Sequence, residues 1–386
     1  MAPRKVLAVT GIRSEYDLLY AVLQAIQDHP AFDLQVVVTG AHCSERFGGT
    51  EAMIRADGFA VADRIESLLD SSTLAGRAKS LGIQVLGLVQ TVERVRPDFL
   101  LVAGDREESL ATALCGAYMH VAVAHLCGGD YAVGNVDDSV RHAVTKLAHL
   151  HFPMSEQSAE RIRRLGEEPW RVTVAGHPGL DRLRTTPDLP AAELARRLDL
   201  DVESQPLALV LQHVISSEAA EGYNQMAATL EAVRRLGLRC VIIRPNSDAG
   251  REGICRAIDE WLPRLPGARV FVNVPRLEFV NLLRRVSVLV GNSSMGILEA
   301  PFLKLPVVNV GNRQKGREHA ANVLFVPHDP DAIAAAVTRA IGDPVFRRQL
   351  AEGGCPFGDG HAGERVARVL AQAELGSRLL VKEGTY

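Results

Sequence analysis

The chain has 386 residues, is 47% hydrophobic and 23% charged, and carries a formal net charge of −3. This length exceeds one ordinary core and implies two domains of roughly 150–200 residues each, while the near-neutral balance supplies no basic field for nucleic acid. No apolar run reaches the ~18 residues a membrane span requires, and the 6 scattered cysteines, without CxxC pairs, argue against a disulfide framework or a zinc site and for reduced thiols in the cytoplasm. The basic start Met1-Ala2-Pro3-Arg4-Lys5 runs into the first strand, Val6–Thr10, rather than into a signal peptide.

After that strand come a helix near residues 15–28 and a second strand, Leu34–Thr39. Phe99–Ala103 and Val121–His125 continue the series. Short apolar runs separated by helix-length segments predict parallel strands with crossover helices, buried on both faces. Thr185-Thr186-Pro187-Asp188-Leu189-Pro190 marks a linker or domain edge. A second series follows: Leu207–Leu211, Cys240–Ile243, Val270–Val272, Val286–Val290 and Val307–Val310. The expected fold is α/β, two Rossmann-like doubly wound domains facing a cleft, with edges at 1–180, 181–365 and a C-terminal segment 366–386. A hydrophilic helix over about 363–382 is expected to pack back across the hinge.

The chemistry-bearing motifs all follow predicted strands, on the edge where open α/β sheets bind ligands. Gly11 permits a tight turn, and Arg13 beside it suits a phosphate or carboxylate; the pattern is not a GxGxxG fingerprint. Asp105 closes another strand, as an acid, base or ligand anchor, or as a helix N-cap. Gly128-Gly129-Asp130 leads into Asp137-Asp138 and Arg141 at the start of a helix. Gln212-His213 ends the first strand of the second series. Gly291-Asn292-Ser293-Ser294 opens a helix whose N-terminus would favour an anion, and Glu299, a turn later, suits ribose hydroxyls. Arg313, Lys315 and Arg317 suit a diphosphate. Anion-binding groups thus gather in the second domain and carboxylates in the first. That division points to a nucleotide diphosphate held by one domain and an attached group worked on by the other.

On these residues the chain resembles the UDP-N-acetylglucosamine 2-epimerase family over nearly its whole length, most closely its hydrolysing branch. The matching stretches are GIRSEYDLL (11–19), GDREE (104–108), GGDYAVGNVDDSVRHAVTKLAH (128–149), GNSSMGILEAP (291–301) and GNRQKGRE (311–318). The resemblance implies a GT-B-like fold and UDP-GlcNAc or a related UDP-amino sugar as substrate. It implies no cofactor, no metal, no nucleic-acid or membrane partner, and a homodimer or homotetramer. Carried over by motif, His213, Ser293, Ser294, Glu299 and Arg313 would contact UDP, with Asn246 and Val274 lining the uridine pocket. Arg13, Asp105, Asp130, Asp137 and Arg141 would surround the sugar and diphosphate, and Asp105, Asp130, Asp137, Arg141 and His213 form the catalytic set. The implied reaction removes the C2 proton, expels UDP to give a 2-acetamidoglucal, and readds to the manno product.

The chain departs from the family at Asp130, where hydrolysing members carry glutamate, and at Cys127, where relatives carry His or Glu. A carboxylate one methylene shorter and a thiol are poorer at activating water. Readdition of UDP, giving UDP-ManNAc, is therefore expected over hydrolysis to ManNAc. The alternatives are the hydrolysing epimerase, a UDP-sugar glycosyltransferase of the same fold, and a non-catalytic UDP-sugar sensor.

Overall fold

The computed structural model describes residues 2–47, 49–69, 73–131, 136–204, 206–245 and 250–385. Two parallel sheets of six strands organise the chain. The first contains β1 (Arg4–Thr10), β2 (Phe32–Thr39), β3 (Val61–Ile65), β4 (Phe99–Ala103), β5 (Ala122–Leu126) and β6 (Leu150–Phe152), in the order β3-β2-β1-β4-β5-β6. The second contains β7 (Leu207–Leu211), β8 (Arg239–Ile243), β9 (Arg269–Phe271), β10 (Val288–Gly291), β11 (Val307–Val310) and β12 (Val323–Val326), in the order β12-β11-β10-β7-β8-β9. Each sheet winds outward from its first strand in one direction and from its fourth in the other. This is the doubly wound arrangement expected from the sequence, and it creates a switch point between β1 and β4 and another between β7 and β10.

The central strands are apolar without alternation because helices cover both faces. Leu7, Val9, Leu100 and Val102 are fully buried in the first core, and Ala208, Val210, Val288 and Val290 in the second. Three strands escaped the sequence reading. β3 carries Asp63 and Arg64 at the sheet edge, β6 is only Leu150-His151-Phe152, and β12 exposes Phe325.

The chain divides into two compact units, residues 1–184 with 357–386, and residues 185–356. These edges differ from the expected 180 and 365 because Asp181 accepts the backbone N–H groups of Ala362 (3.0 Å) and Gly363 (2.8 Å), and Arg184 donates to the Gly360 carbonyl (2.7 Å). The helix Ala362–Gln372 then packs on the helix Arg13–Gln27. Gly363 makes the close approach possible, since a Cβ there would lie 2.5 Å from the Ala21 carbonyl oxygen. The expected single helix to 382 stops at Gln372, and only Ser377–Leu380 resumes it.

The last residues are tied down from beneath β6. The buried Arg171 donates to the carbonyls of Leu379 (2.7 Å), Val381 (2.8 Å) and Arg378 (2.9 Å). Lys382 Nζ reaches the fully buried Glu167 at 2.6 Å and donates to the carbonyls of Lys146 and Ala148, both at 2.7 Å, at the end of the helix Val136–Leu147. Cations suit the carbonyl end of a helix. Among the described residues no helix is long and apolar enough to cross a membrane.

Candidate functional site

In the first unit, β4 ends at Ala103 and turns through Gly104 (φ 77°) to Asp105. Asp105 is not the cap of the following helix: Arg106 holds that position, and the Asp105 carboxylate pairs instead with Arg141. β5 leads into Cys127 (φ 60°) and Gly129 (φ 72°), two left-handed residues that fold the loop back. Gly129 cannot be replaced without displacement, because a Cβ would sit 2.2 Å from the Ser158 carbonyl oxygen, and Arg161 clamps the Gly129 carbonyl at 2.9 Å. Asp130 follows, its Oδ1 accepting the Tyr131 N–H at 2.8 Å.

The helix Val136–Leu147 brings Arg141 to this edge. Only 4% of Arg141 is exposed. Its guanidinium pairs with Asp105, lies 3.1 Å from Asp138 Oδ1 and donates to the Asp130 carbonyl at 3.1 Å. A buried guanidinium needs its donors satisfied by oxygens, and a planar fork ringed by carboxylates meets that need. Three predicted residues, Asp105, Asp130 and Arg141, therefore converge. Asp137 turns the other way, 3.7 Å from Arg77, which also pairs with Glu107 at 2.9 Å. Its neighbour Asp138 holds the place beside Arg141. Spacings of three and four residues both face one side of a helix, so the sequence did not separate the two. Arg13 opens its helix as an exposed residue.

Burial, reinforced by the Asp130 charge, pushes the Cys127 thiol up to about 12. Cys127 is thus a protonated, 5% exposed side chain next to the site. His125, two residues earlier in β5, is lowered to about 4, chiefly by burial, and its Nε2 lies 2.8 Å from the Gly104 carbonyl oxygen.

In the second unit, Gly291 (φ 142°) closes β10 so tightly against β7 that a Cβ would lie 2.1 Å from the Leu211 carbonyl oxygen. The fully buried Asn292 then bridges the two strand ends. Its Oδ1 accepts the His213 N–H at 2.7 Å and its Nδ2 donates to the His213 carbonyl at 2.9 Å. Its own carbonyl accepts Arg313 Nη1 at 3.1 Å and Gln314 Nε2 at 3.0 Å. Asn292 thereby fixes His213, Ser293 and Arg313 relative to one another. Its signal in the sequence was an amide between a strand-ending glycine and a serine pair. The helix after Ser294 is only Met295–Leu298. So short a helix has little macrodipole, and the helix expected to run through Ala300 ends at Leu298. Glu299 ends that helix, 3.9 Å from Arg276, and Val274 is buried just before the helix Arg276–Leu283. Asn246 lies outside the described residues.

Residues 24–371 match the family described as UDP-N-acetylglucosamine 2-epimerase. The chain belongs to the UDP-N-acetylglucosamine 2-epimerase family. The family expected from the motifs is therefore the one found. Among its relatives, the UDP-N,N'-diacetylbacillosamine 2-epimerase (hydrolyzing) of Legionella pneumophila is 34% identical over 99% of this chain and 100% of its own. The GDP/UDP-N,N'-diacetylbacillosamine 2-epimerase (hydrolyzing) of Campylobacter jejuni is 30% identical over 84% of each. The fold is similar to that of the UDP-GlcNAc 2-epimerase of Neisseria meningitidis bound to UDP-GlcNAc, with a TM-score of 0.79 at 19% identity, covering 96% of this chain and 100% of that one. Within this epimerase family fold, Asn292 and Asp138 are residues whose placement the motifs alone did not reveal.

Proposed function

We propose that the protein is a hydrolysing 2-epimerase of a UDP-linked 2-acetamido sugar. The observation that carries the reading is Arg141, buried with Nη2 on Asp105 and Nη1 on both Asp138 and the Asp130 carbonyl. A base among these aspartates takes the C2 proton, and the C1–O bond breaks with its electron pair leaving on UDP, giving a 2-acetamidoglucal. Water then adds its hydroxyl at C1, and a proton returns to C2 from the opposite face. The products are UDP and the free manno sugar. Ser293, Ser294, Arg313 and Arg13 are assigned to the diphosphate, where charge grows most as UDP departs. Glu299 is assigned to the ribose, Val274 and Asn246 to the uracil, and His213 to UDP beside Asn292.

Two similarities support hydrolysis, since both bacillosamine relatives carry it in their names. They also support a 4-acetamido-6-deoxy sugar as the substrate beside UDP-GlcNAc. A second reading, in which UDP is retained and UDP-ManNAc forms, is favoured by the short Asp130 and the protonated Cys127 thiol. Incubation of the enzyme with UDP-GlcNAc or UDP-N,N'-diacetylbacillosamine in deuterated water, followed by NMR, separates these readings. Free manno sugar with deuterium at C2 and an equal amount of UDP is expected. A UDP-linked manno product would establish the second reading, and binding without C2 exchange would leave a sensor. Asp130→Glu should raise the hydrolysed fraction if Asp130 limits water activation.

A further inference from the structure

Two carboxylates that the proposed reaction does not use lie at the switch point of the first unit. Glu15 and Glu108 are 4% and 3% exposed and flank Gly11, the residue that closes β1. Glu15 Oε2 accepts the Gly11 N–H at 2.8 Å. Glu108 Oε1 occupies the space a side chain at Gly11 would need, 2.0 Å from its ideal Cβ position and 2.8 Å from that of Gly40. Two glycines therefore make room for one buried carboxyl. The Gly11 carbonyl accepts the His42 N–H at 3.1 Å, so the turn is held on both of its backbone polar groups.

The charges around the pair do not balance if both carboxyls are ionised. Arg106 Nε, 3.3 Å from Glu108 Oε2, is the cation that reaches them, and Arg106 is also 3.8 Å from Glu107. Glu107 has its own partner in Arg77. His42, on the next strand end, sits between the hydroxyls of Thr10 (3.1 Å) and Thr50 (2.6 Å) and is held neutral, lowered to about 4 by burial. Glu51 lies near it as a further carboxylate. The Thr10 hydroxyl, shared with His42, lies near the Glu15 carboxyl and favours its charged form, but among the described residues Glu15 Oε1 is buried without a well-aligned hydrogen bond. Two buried negative charges sharing one guanidinium are costly, and a proton on the pair removes the excess.

We propose that Glu15 and Glu108 are positioning residues: a carboxyl pair that keeps one proton and so fixes the Gly11-Ile12-Arg13 turn from which Arg13 projects. The inference rests on the reading above that Arg13 serves the substrate diphosphate. Burial first, and the Glu108 charge second, push Glu15 up to about 8, against the Gly11 N–H and Arg106; Glu108 is also raised, by burial. A raised carboxyl stabilises the fold fully below its ordinary value of 4.5, and that contribution is lost as pH rises through about 8. Above that pH two like charges press on one turn, and its geometry loosens.

The test compares the wild type with Glu15→Gln and Glu108→Gln, whose amides imitate the protonated acid. For either variant, the ratio of its kcat/KM to that of the wild type should rise about tenfold between pH 7 and pH 9, because a group titrating near 8 is about nine-tenths ionised at pH 9. A ratio that stays flat across that range overturns the proposal. Infrared difference spectra of the same proteins follow the proton without substrate. A protonated-carboxyl band that disappears with rising pH in the wild type, and is missing from Glu15→Gln, is expected. Absence of the band from the wild type at pH 6 overturns the proposal. A protein that shows the titrating band yet turns over no UDP sugar refutes the assigned reaction and the role of Arg13, and keeps the one-proton pair.

Discussion

The two units repeat one strand order, and each lines its own switch-point crevice with a different chemistry. Where β1 and β4 part, buried carboxyls from Glu15 and Glu108 press against Gly11. Where β7 and β10 part, the buried side chain is the neutral Asn292, which spends its amide on His213 and offers its carbonyl to Arg313. Ionised carboxyls repel a phosphate, whereas an amide, two hydroxyls and a guanidinium suit one; the proposed assignment follows that division, with Arg13 the group of the first unit given to the diphosphate. A shared topology therefore fixes where a ligand can bind, and a few side chains at the strand ends decide whether it does.

The largest expected effect tests this division directly. Arg141→Met should lower turnover about 1,000-fold, because the aspartates lose the cation that orients them, and should cost about 1–3 kcal/mol of stability by removing a buried guanidinium from the partly exposed Asp105 and Asp138. UDP affinity by calorimetry should stay within about threefold of wild type, since the UDP contacts are assigned to the other unit and to Arg13, not to Arg141. A collapse of UDP affinity would break the comparison.

Next in size are two glycines at strand ends that border the switch points, Gly11 after β1 and Gly291 at the end of β10. Gly291→Ala meets a backbone oxygen at 2.1 Å and a left-handed φ, and should lose about 3 kcal/mol or more in denaturant unfolding. Gly11→Ala meets the Glu108 side chain, Oε1 at 2.0 Å and Cδ and Cγ at 2.4 Å, rather than backbone, and should lose about 1–2 kcal/mol as that side chain shifts. That loss should vanish in a Glu108→Ala background, and a persistent loss would place the obstacle elsewhere.

Asn292→Ala removes both bonds to His213. About tenfold weaker UDP binding by calorimetry, with turnover at saturation changed less, is expected. Smallest is Lys382→Met. Burial alone would raise Glu167, but His151, Lys146 and Lys382 together hold it down at about 2. The stability it contributes is present above about 4.5 and lost as pH falls towards 2. Removing Lys382 should move acid unfolding to higher pH by a fraction of a unit, measured by circular dichroism.

The central strands were legible because their burial on both faces demands unbroken apolar runs, as in Leu207–Leu211. Edge strands carry no such demand, and β3 with its Asp63 and Arg64 reads as loop. The strand-end position of the motifs was legible for the same reason as the strands. Contacts that depend on helix phase and on side chains crossing between strands were not. The preference of Arg141 for Asp138 over Asp137 is one case, and the seating of Glu108 against Gly11, 97 positions apart by subtraction of 11 from 108, is another.

The tether at Arg171 and Lys382 also has a meaning in time. The second unit is one uninterrupted segment, 185–356, whereas the first is split, needing residues 357–386 to finish. During synthesis the second unit emerges whole while the first still lacks the helix Ala362–Gln372 and the Lys382 contact that ends the Arg141 helix. Domains fold as their residues become available. The half assigned to UDP can therefore complete first, and the half carrying the aspartates is sealed only by residues 357–382, which are made after it.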